Sequence, residues 1–561
     1  MKLHNQFLRL HSRCNDNNVI SITLGDIAKI LDCTHRNAMM IINHMAELGW
    51  ITWTSQRGRG RRSTLHFLVQ PQEIAVQSMM EAINRKDIKR ALDGISYHTQ
   101  SSVLQEHLQG WLLTYFGQHS EIRRDRQIDT LRLPIREQIG TVDPLYMNLL
   151  AESFISSHVF DGLLRRSNGS DEEILPNIAH AWDVDQSRTV WTFFLRKEVL
   201  FHNGRIMTAE DVVYTFERLI HTSRRTLYSS IFRLIRSIRA LTPTTVRIEL
   251  KEPNELFLPF LCTSRAAIVP RDLEQLGEAG FGIKPVGTGP FKVTEMNESL
   301  CSLEVFAHYF RGRAHLDRVE IVHVPWDMMP GSSQAADSLS PFHLIHNSAS
   351  AGDEWSHLHS DVSVRKFITC NTKKTGPLSD PAIRAHVLSC LRGEAAEQRQ
   401  SLQGCALQIA TIPQYRQDAE FAAEILMKQG CDCSVLAASP EEFKGAVRLE
   451  SDLILFAFVR DRDEQLRLFD LYLTIAEHVE AHTRIDIETS LRSIARARDP
   501  QARAYGFKEI ETRLLQEQQL FIMSERPVQT AYLPSVRGVT FNSQGWVDLR
   551  NVWFPPVSTL T

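Results

Sequence analysis

Four arginines fall within six residues at Arg57, Arg59, Arg61 and Arg62, loosened by two glycines and flanked by two β-rich runs, WITWT (50–54) and STLHFLV (63–69). Runs of aromatic and β-branched residues around a Gly-containing polar tip read as a hairpin. A hairpin tip cannot bury four guanidinium groups, so this one must face solvent or a polyanion. The alternative for the RGRGRR run is a solvated hairpin with no partner.

The residues before the hairpin form a compact helical pattern. Apolar spacing predicts a helix over Leu3–Leu10 and a second over Thr23–Leu31, preceded by the capping types Ser21 and Thr23. Asp32 and Cys33 make the break, and Asp tolerates the left-handed backbone of a tight turn. Thr34 can then cap a third helix running to about Leu48, with Gly49 as its stop. On that helix Ala38, Ile41, Ile42, Met45 and Leu48 share one face, while Arg36, Met40 and Asn43 point the other way. The spacing of Ala28, Asp32, Ala38 and Ile41 is similar to that of a helix-turn-helix, and the hairpin makes it a winged one.

This segment has the charge of a nucleic-acid reader. Residues 1–70 carry nine basic and four acidic side chains, +5, so the chain's net charge of −3 leaves −8 for the remainder. The expected DNA contacts are Thr34, His35, Arg36, Asn37, Met40 and Asn43 from the third helix and Arg57, Arg59, Arg61 and Arg62 from the wing. Arg36 could donate twice to a guanine and Asn43 could pair with an adenine, while the wing arginines reach phosphates or a narrow minor groove. Either residue could equally be ordinary surface.

Residues 71–124 alternate apolar and charged side chains at helical spacing and are expected to form a helical connector, with dimerisation as its sharper role. From about 125 the pattern turns to mixed strands and helices. With 561 residues, 43% hydrophobic, three to five domains are expected, and no run approaches the roughly 18 apolar residues that span a bilayer. Nine scattered cysteines without a C-x-x-C pair suggest reduced thiols. The N-terminal residues lack the uninterrupted apolar core of a secretory signal, so a cytoplasmic location is expected.

The segment Ile174–Ile220, with TVDPLYMNLLAESFISSHVFDGLLR before it, PVGTGPFKV (285–293) after it and VRGVTFNSQGWVDLRNVWF near the end, resembles the extracellular solute-binding proteins of the oligopeptide, dipeptide and nickel-binding family. The resemblance implies a mixed α/β, two-lobed fold of the type II periplasmic-binding class over 125–561. Lobe one would comprise about 125–325 plus 526–561, lobe two about 326–525, with a ligand between them. In peptide-binding relatives an aspartate after a buried strand receives the ligand's amino group, and Asp461 stands at that point; pairing with Arg460 or Arg462 is its plainer role. Winged helix and solute-binding fold together resemble the SgrR-type bacterial transcriptional regulators. The resemblance implies promoter DNA as partner, RNA polymerase as a further one, and a small-molecule ligand, a sugar phosphate or something peptide-like. The competing reading is a transport-associated solute-binding protein whose N-terminal extension makes protein contacts.

Other constellations carry less. His343, His346, His357 and His359, with Asp353 and Asp361, match no metal-site spacing and suggest a loop. Trp182, Trp191, Trp326 and Trp546 are expected in cores or interfaces rather than on a ligand. No nucleophile elbow, zincin or phosphate-loop motif occurs, so neither an enzyme nor a cofactor is expected.

Overall fold

A computed structural model describes the chain except residues 1, 14–17, 57–61, 72, 75–115, 124–125, 136–137, 168–172, 225, 276, 324–355, 395–401, 462, 533–535, 543–545 and 556–561. The head consists of α1 (Lys2–His11), β1 (Val19–Ile22), α2 (Leu24–Ile30), α3 (His35–Glu47), β2 (Ile51–Thr54) and β3 (Ser63–Phe67). Thr23 caps α2 in a reciprocal box with Asp26, and the Thr34 hydroxyl accepts from Asn37 N–H at the start of α3. Asp32 has φ +50° and Gly49 φ +70°, the left-handed turns that their residue types suggest. Phe7, Leu10, Ile27, Ala38, Ile42, Met45 and Leu65 close one small core.

Two details differ from expectation. β1 joins the wing, giving an antiparallel sheet in the order β1-β3-β2; a four-residue strand is too short to announce itself by alternation. Leu48 is not on the buried face but is the C-cap of α3 and 48% exposed, because the helix ends before its side chain can reach the core. The dimerising connector falls mostly on residues outside those described. Its last part is not helical, since Gly117–Arg123 is a strand paired antiparallel with Arg126–Ile135.

That pair completes a five-stranded sheet in the order Phe291–Met296, Leu300–Val305, Arg318–His323, Arg126–Ile135, Gly117–Arg123. Beside it, Ala179–Val184, Val190–Leu195, Thr245–Leu250 and Ile235–Thr242 form an antiparallel four-stranded sheet. In VWTFFL the alternate residues Trp191, Phe193 and Leu195 are buried, as a half-covered strand requires. The second lobe is a sheet in the order Asp432–Ala437, Ala406–Thr411, Leu453–Arg460, Ser356–Cys370, Leu520–Tyr532. Helices cover both faces: Ile368, Leu453 and Leu455 pack with Arg416–Lys428, and Phe367 and Phe458 join the core that holds Glu464–Ala476, Ala481–Arg496 and Pro500–Gln516. That core runs on into the four-stranded sheet, so the lobes are in apolar contact. The return to the first lobe comes later than 526: strand pairing continues to Tyr532, and Val536 to Phe554 then pack into the first lobe's core.

One turn in the first lobe explains two of its sequence signatures together. His202 donates from Nε2 to the Gly289 carbonyl (3.0 Å) and accepts at Nδ1 from Gly287 N–H (3.2 Å). Only a neutral imidazole can do both, and burial pushes its pKa down to about 4. In the unfolded chain it binds a proton near pH 6.5, so protonation favours unfolding as pH falls from 6.5 to about 4. Over that window His202 should cost the fold about 3 kcal/mol. Urea melts of the wild type and His202→Asn across pH 4–7 should converge by that amount on acidification; a constant difference would refute the assignment.

Candidate nucleic-acid interface and ligand cleft

α3 buries one stripe and leaves the opposite one bare. His35, Arg36, Asn37, Met40 and Asn43 are all exposed, Met40 at 63%. Arg36, Met40 and Asn43 recur at helical spacing on one face, combining a forked donor, a soft apolar group and an amide, the side-chain types that read guanine, thymine methyl and adenine edges. Thr34 is exposed too, but its hydroxyl is engaged in the cap. The His35 ring lies over Gly25, 3.6 Å from where a Cβ would stand, so it partly locks α3 against α2. Arg62 is exposed at the start of β3 and its charge is felt by Asp26 in α2, so the wing base lies beside the helix pair. Arg57, Arg59 and Arg61 lie outside the described residues.

Between the lobes lies a cavity of about 530 Å³. Tyr146, Asn148, Arg224 and Thr226 line it from the first lobe, Glu441 and Lys444 from the second. The Asn148 amide bridges the lobes, donating to Glu441 and accepting from Lys444 Nζ. Burial, then the nearby Arg265 charge, pushes the Lys444 amine down to about 8. The Arg224 guanidinium lies 4.3 Å from the Tyr146 ring centroid and makes no ion pair among the described residues. Thr226 Oγ1 is buried without a hydrogen-bond partner among the described residues. A guanidinium, an amine of lowered pKa and an unsatisfied hydroxyl around one cavity suit a small polar ligand with anionic character. None of these residues stands out in sequence, because the two halves of the site are almost 300 residues apart.

Asp461 does not enter this cavity. Its carboxylate is wholly buried and paired with Arg467, Oδ2 lying 2.7 Å from the nearest guanidinium nitrogen, while Oδ1 accepts from Asp463 N–H. Burial nonetheless raises its pKa, and Arg467 opposes the rise. The neighbours expected as partners are otherwise engaged or undescribed. Arg460 pairs with Glu464 and Glu525, and Arg462 lies outside the described residues. Asp463 pairs across the lobes with Arg166 at 3.0 Å.

Residues 356–361, which include His357, His359 and Asp361, belong to the strand Ser356–Cys370 and not to a loop. His343, His346 and Asp353 lie outside the described residues, among which no cluster of metal-ligating side chains occurs. Trp191 and Trp546 are buried in the two first-lobe cores and Trp182 packs against one of them; Trp326 is outside the described residues. The eight described cysteines are free thiols. Among the described residues no helix is long and apolar enough to cross a membrane.

Residues 2–117 match the family described as sugar transport-related sRNA regulator N-terminal domain, and residues 173–385 match the middle region of bacterial extracellular solute-binding proteins, family 5. The HTH-type transcriptional regulator SgrR of Pectobacterium atrosepticum is 24% identical over 99% of both chains. The uncharacterized protein YhjP of Bacillus subtilis is 26% identical over 95% of this chain and 96% of its own. Among solved structures, the periplasmic binding protein DppA of Helicobacter pylori, in complex with the peptide STSA, superposes with a TM-score of 0.61 at 18% identity, covering 76% of this chain and 98% of that one. A dipeptide-binding protein from Pseudoalteromonas, in complex with Met-Leu, gives 0.61 at 17% identity over 76% and 100%. These likenesses carry the type II binding-protein fold. The chain therefore carries an SgrR-type N-terminal domain and a family 5 solute-binding domain together, and it is similar along its whole length to an SgrR-type transcriptional regulator.

Proposed function

We infer that the head binds double-stranded promoter DNA and that the two-lobed body senses a small molecule which alters that binding. The observation that supports the first half most is the bare face of α3, with Arg36, Met40 and Asn43 exposed while the opposite stripe holds the head together. In this reading residues 1–70 read DNA, the segment from 71 to 116 connects, the body from the strand Gly117–Arg123 onward senses, and the protein works in the cytoplasm. RNA polymerase is a further partner in this scheme.

The interlobe cavity is the proposed ligand site, and Arg224 beside Lys444 favours an anionic small molecule such as a sugar phosphate. A peptide is less well served, because the buried Asp461 is already neutralised by Arg467. Regulation requires that the ligand prefer one lobe arrangement; a coupling of about 1–3 kcal/mol would change DNA affinity roughly 5- to 150-fold.

A gel-shift titration with DNA from upstream of the protein's own gene tests the first half. With three or four phosphates neutralised, log affinity should fall against log salt with a slope of about −3 to −4. Replacing Arg57, Arg59, Arg61 and Arg62 with alanine should flatten that slope. No binding at low salt, or a slope indifferent to the four substitutions, would leave the head as a protein-contact module.

A further inference from the structure

The first lobe holds a second polar cleft, of about 120 Å³, that shares no lining residue with the interlobe cavity. Three arginines from distant parts of the chain converge on it: Arg165 after the DGLL turn, Arg311 from the loop between the strands Leu300–Val305 and Arg318–His323, and Arg550 from the C-terminal segment. Arg550 is neutralised by Asp548. Arg165 and Arg311 have no carboxylate within ion-pair distance among the described residues. Arg165 spends one nitrogen on the Arg166 carbonyl, at a long 3.4 Å, and its buried Nε has no hydrogen-bond partner among the described residues. Among the described residues Arg311 reaches only the Asn177 amide oxygen, at 3.5 Å.

The anionic side of the cleft does not complete the balance. Asp161 is buried, and its oxygens accept from Asn177 (3.0 Å), Tyr309 (3.2 Å) and Thr288 (3.4 Å), so it is held by neutral donors. Burial raises its pKa, whereas Arg165 is held below the usual guanidinium range by burial and by the facing charges of Arg311 and Arg550. Like charges gathered with spare donors on Arg165 and Arg311 are what a tetrahedral oxyanion relieves, since a guanidinium not already forked onto a carboxylate can offer it two parallel N–H groups, while Arg550, held bidentately by Asp548, adds its charge.

We propose that Arg165, Arg311 and Arg550 form an oxyanion site in the first lobe, separate from the interlobe cavity, that takes phosphate either as the free ion or as the headgroup of a small monoester. The site borders Arg166 and Cys262, next to the Arg166–Asp463 pair that ties the lobes together, so its occupant would sit beside a lobe-to-lobe contact.

Equilibrium dialysis of the full chain with labelled inorganic phosphate tests this, with glycerol phosphate as competitor. Saturable binding of one phosphate per chain is expected. Arg311→Gln, at an exposed position, and Arg165→Gln should each weaken it tenfold or more, while Arg224→Gln in the interlobe cavity should leave it within twofold. Because Arg165→Gln could disturb the lobe, Arg311→Gln decides. Competition by glycerol phosphate would show that the site accepts the group on a larger molecule, and its failure would limit the site to the free ion; both agree with the proposal. Absence of saturable binding, wild-type affinity in Arg311→Gln, or loss confined to Arg224→Gln would overturn it.

Discussion

Gly287→Ala should destabilise the body by at least about 3 kcal/mol, more than most single substitutions do. A Cβ at that position would stand 2.0 Å from the Val159 carbonyl oxygen and 2.8 Å from the Phe160 ring. The obstacle is backbone, so no rotamer change can relieve it. Gly289 is pressed against the same segment, where a Cβ would stand 2.6 Å from the His158 carbonyl oxygen, while its own N–H donates to Val159 O. The GTGP turn is thus a place where two segments of the chain approach more closely than any side chain permits, and His202 then fastens the turn from the other side. Gly204 is the control. It has φ +84° with open space around it, so Gly204→Ala should cost only the left-handed backbone penalty, about 1–2 kcal/mol. Chemical denaturation of the two variants would decide: equal losses at Gly287 and Gly204 would mean that close approach is not what the GTGP turn is for.

The same turn illustrates what can be read from the chain itself. Gly-Thr-Gly-Pro announces a reversal, but not the segment 130 residues earlier on which it packs, because close approach leaves no periodic trace. In the head the opposite holds. Thr34, Asp32, Gly49 and the Ala38–Met45 stripe act locally, and each took the conformation its chemistry suggests. β1 escaped because a four-residue edge strand depends on its partner β3 rather than on its own pattern. The ligand cleft escaped for a different reason. Asn148, Arg224 and Lys444 are unremarkable surface types in sequence, and only the stacking of the lobes makes a cavity of them. Phe367 and Ile368, adjacent in sequence, serve two different cores, as expected for a strand covered on both faces.

Asp461 marks the limit of carrying a role over by position, and its removal should be costly in the absence of any ligand. Asp461→Ala would leave the Arg467 guanidinium in a site whose side chain is only 18% exposed, with no compensating carboxylate at that distance; Arg467→Ala would strand the wholly buried carboxylate. Breaking a buried pair from either side costs about 3–5 kcal/mol, because the surviving charge keeps its desolvation penalty. Replacing both partners by leucine should recover much of that loss, since the penalty disappears along with the attraction. A structural pair therefore predicts two unstable single variants and a more stable double one. A ligand-binding aspartate predicts something else: Asp461→Asn with near-normal stability, and loss of whatever stabilisation a bound peptide confers. Denaturation of the four proteins without ligand separates the two. Full stability of Asp461→Asn would return the residue to the ligand site, whereas strong coupling between Asp461 and Arg467 would fix it as the clasp that holds the turn into the helix Glu464–Ala476.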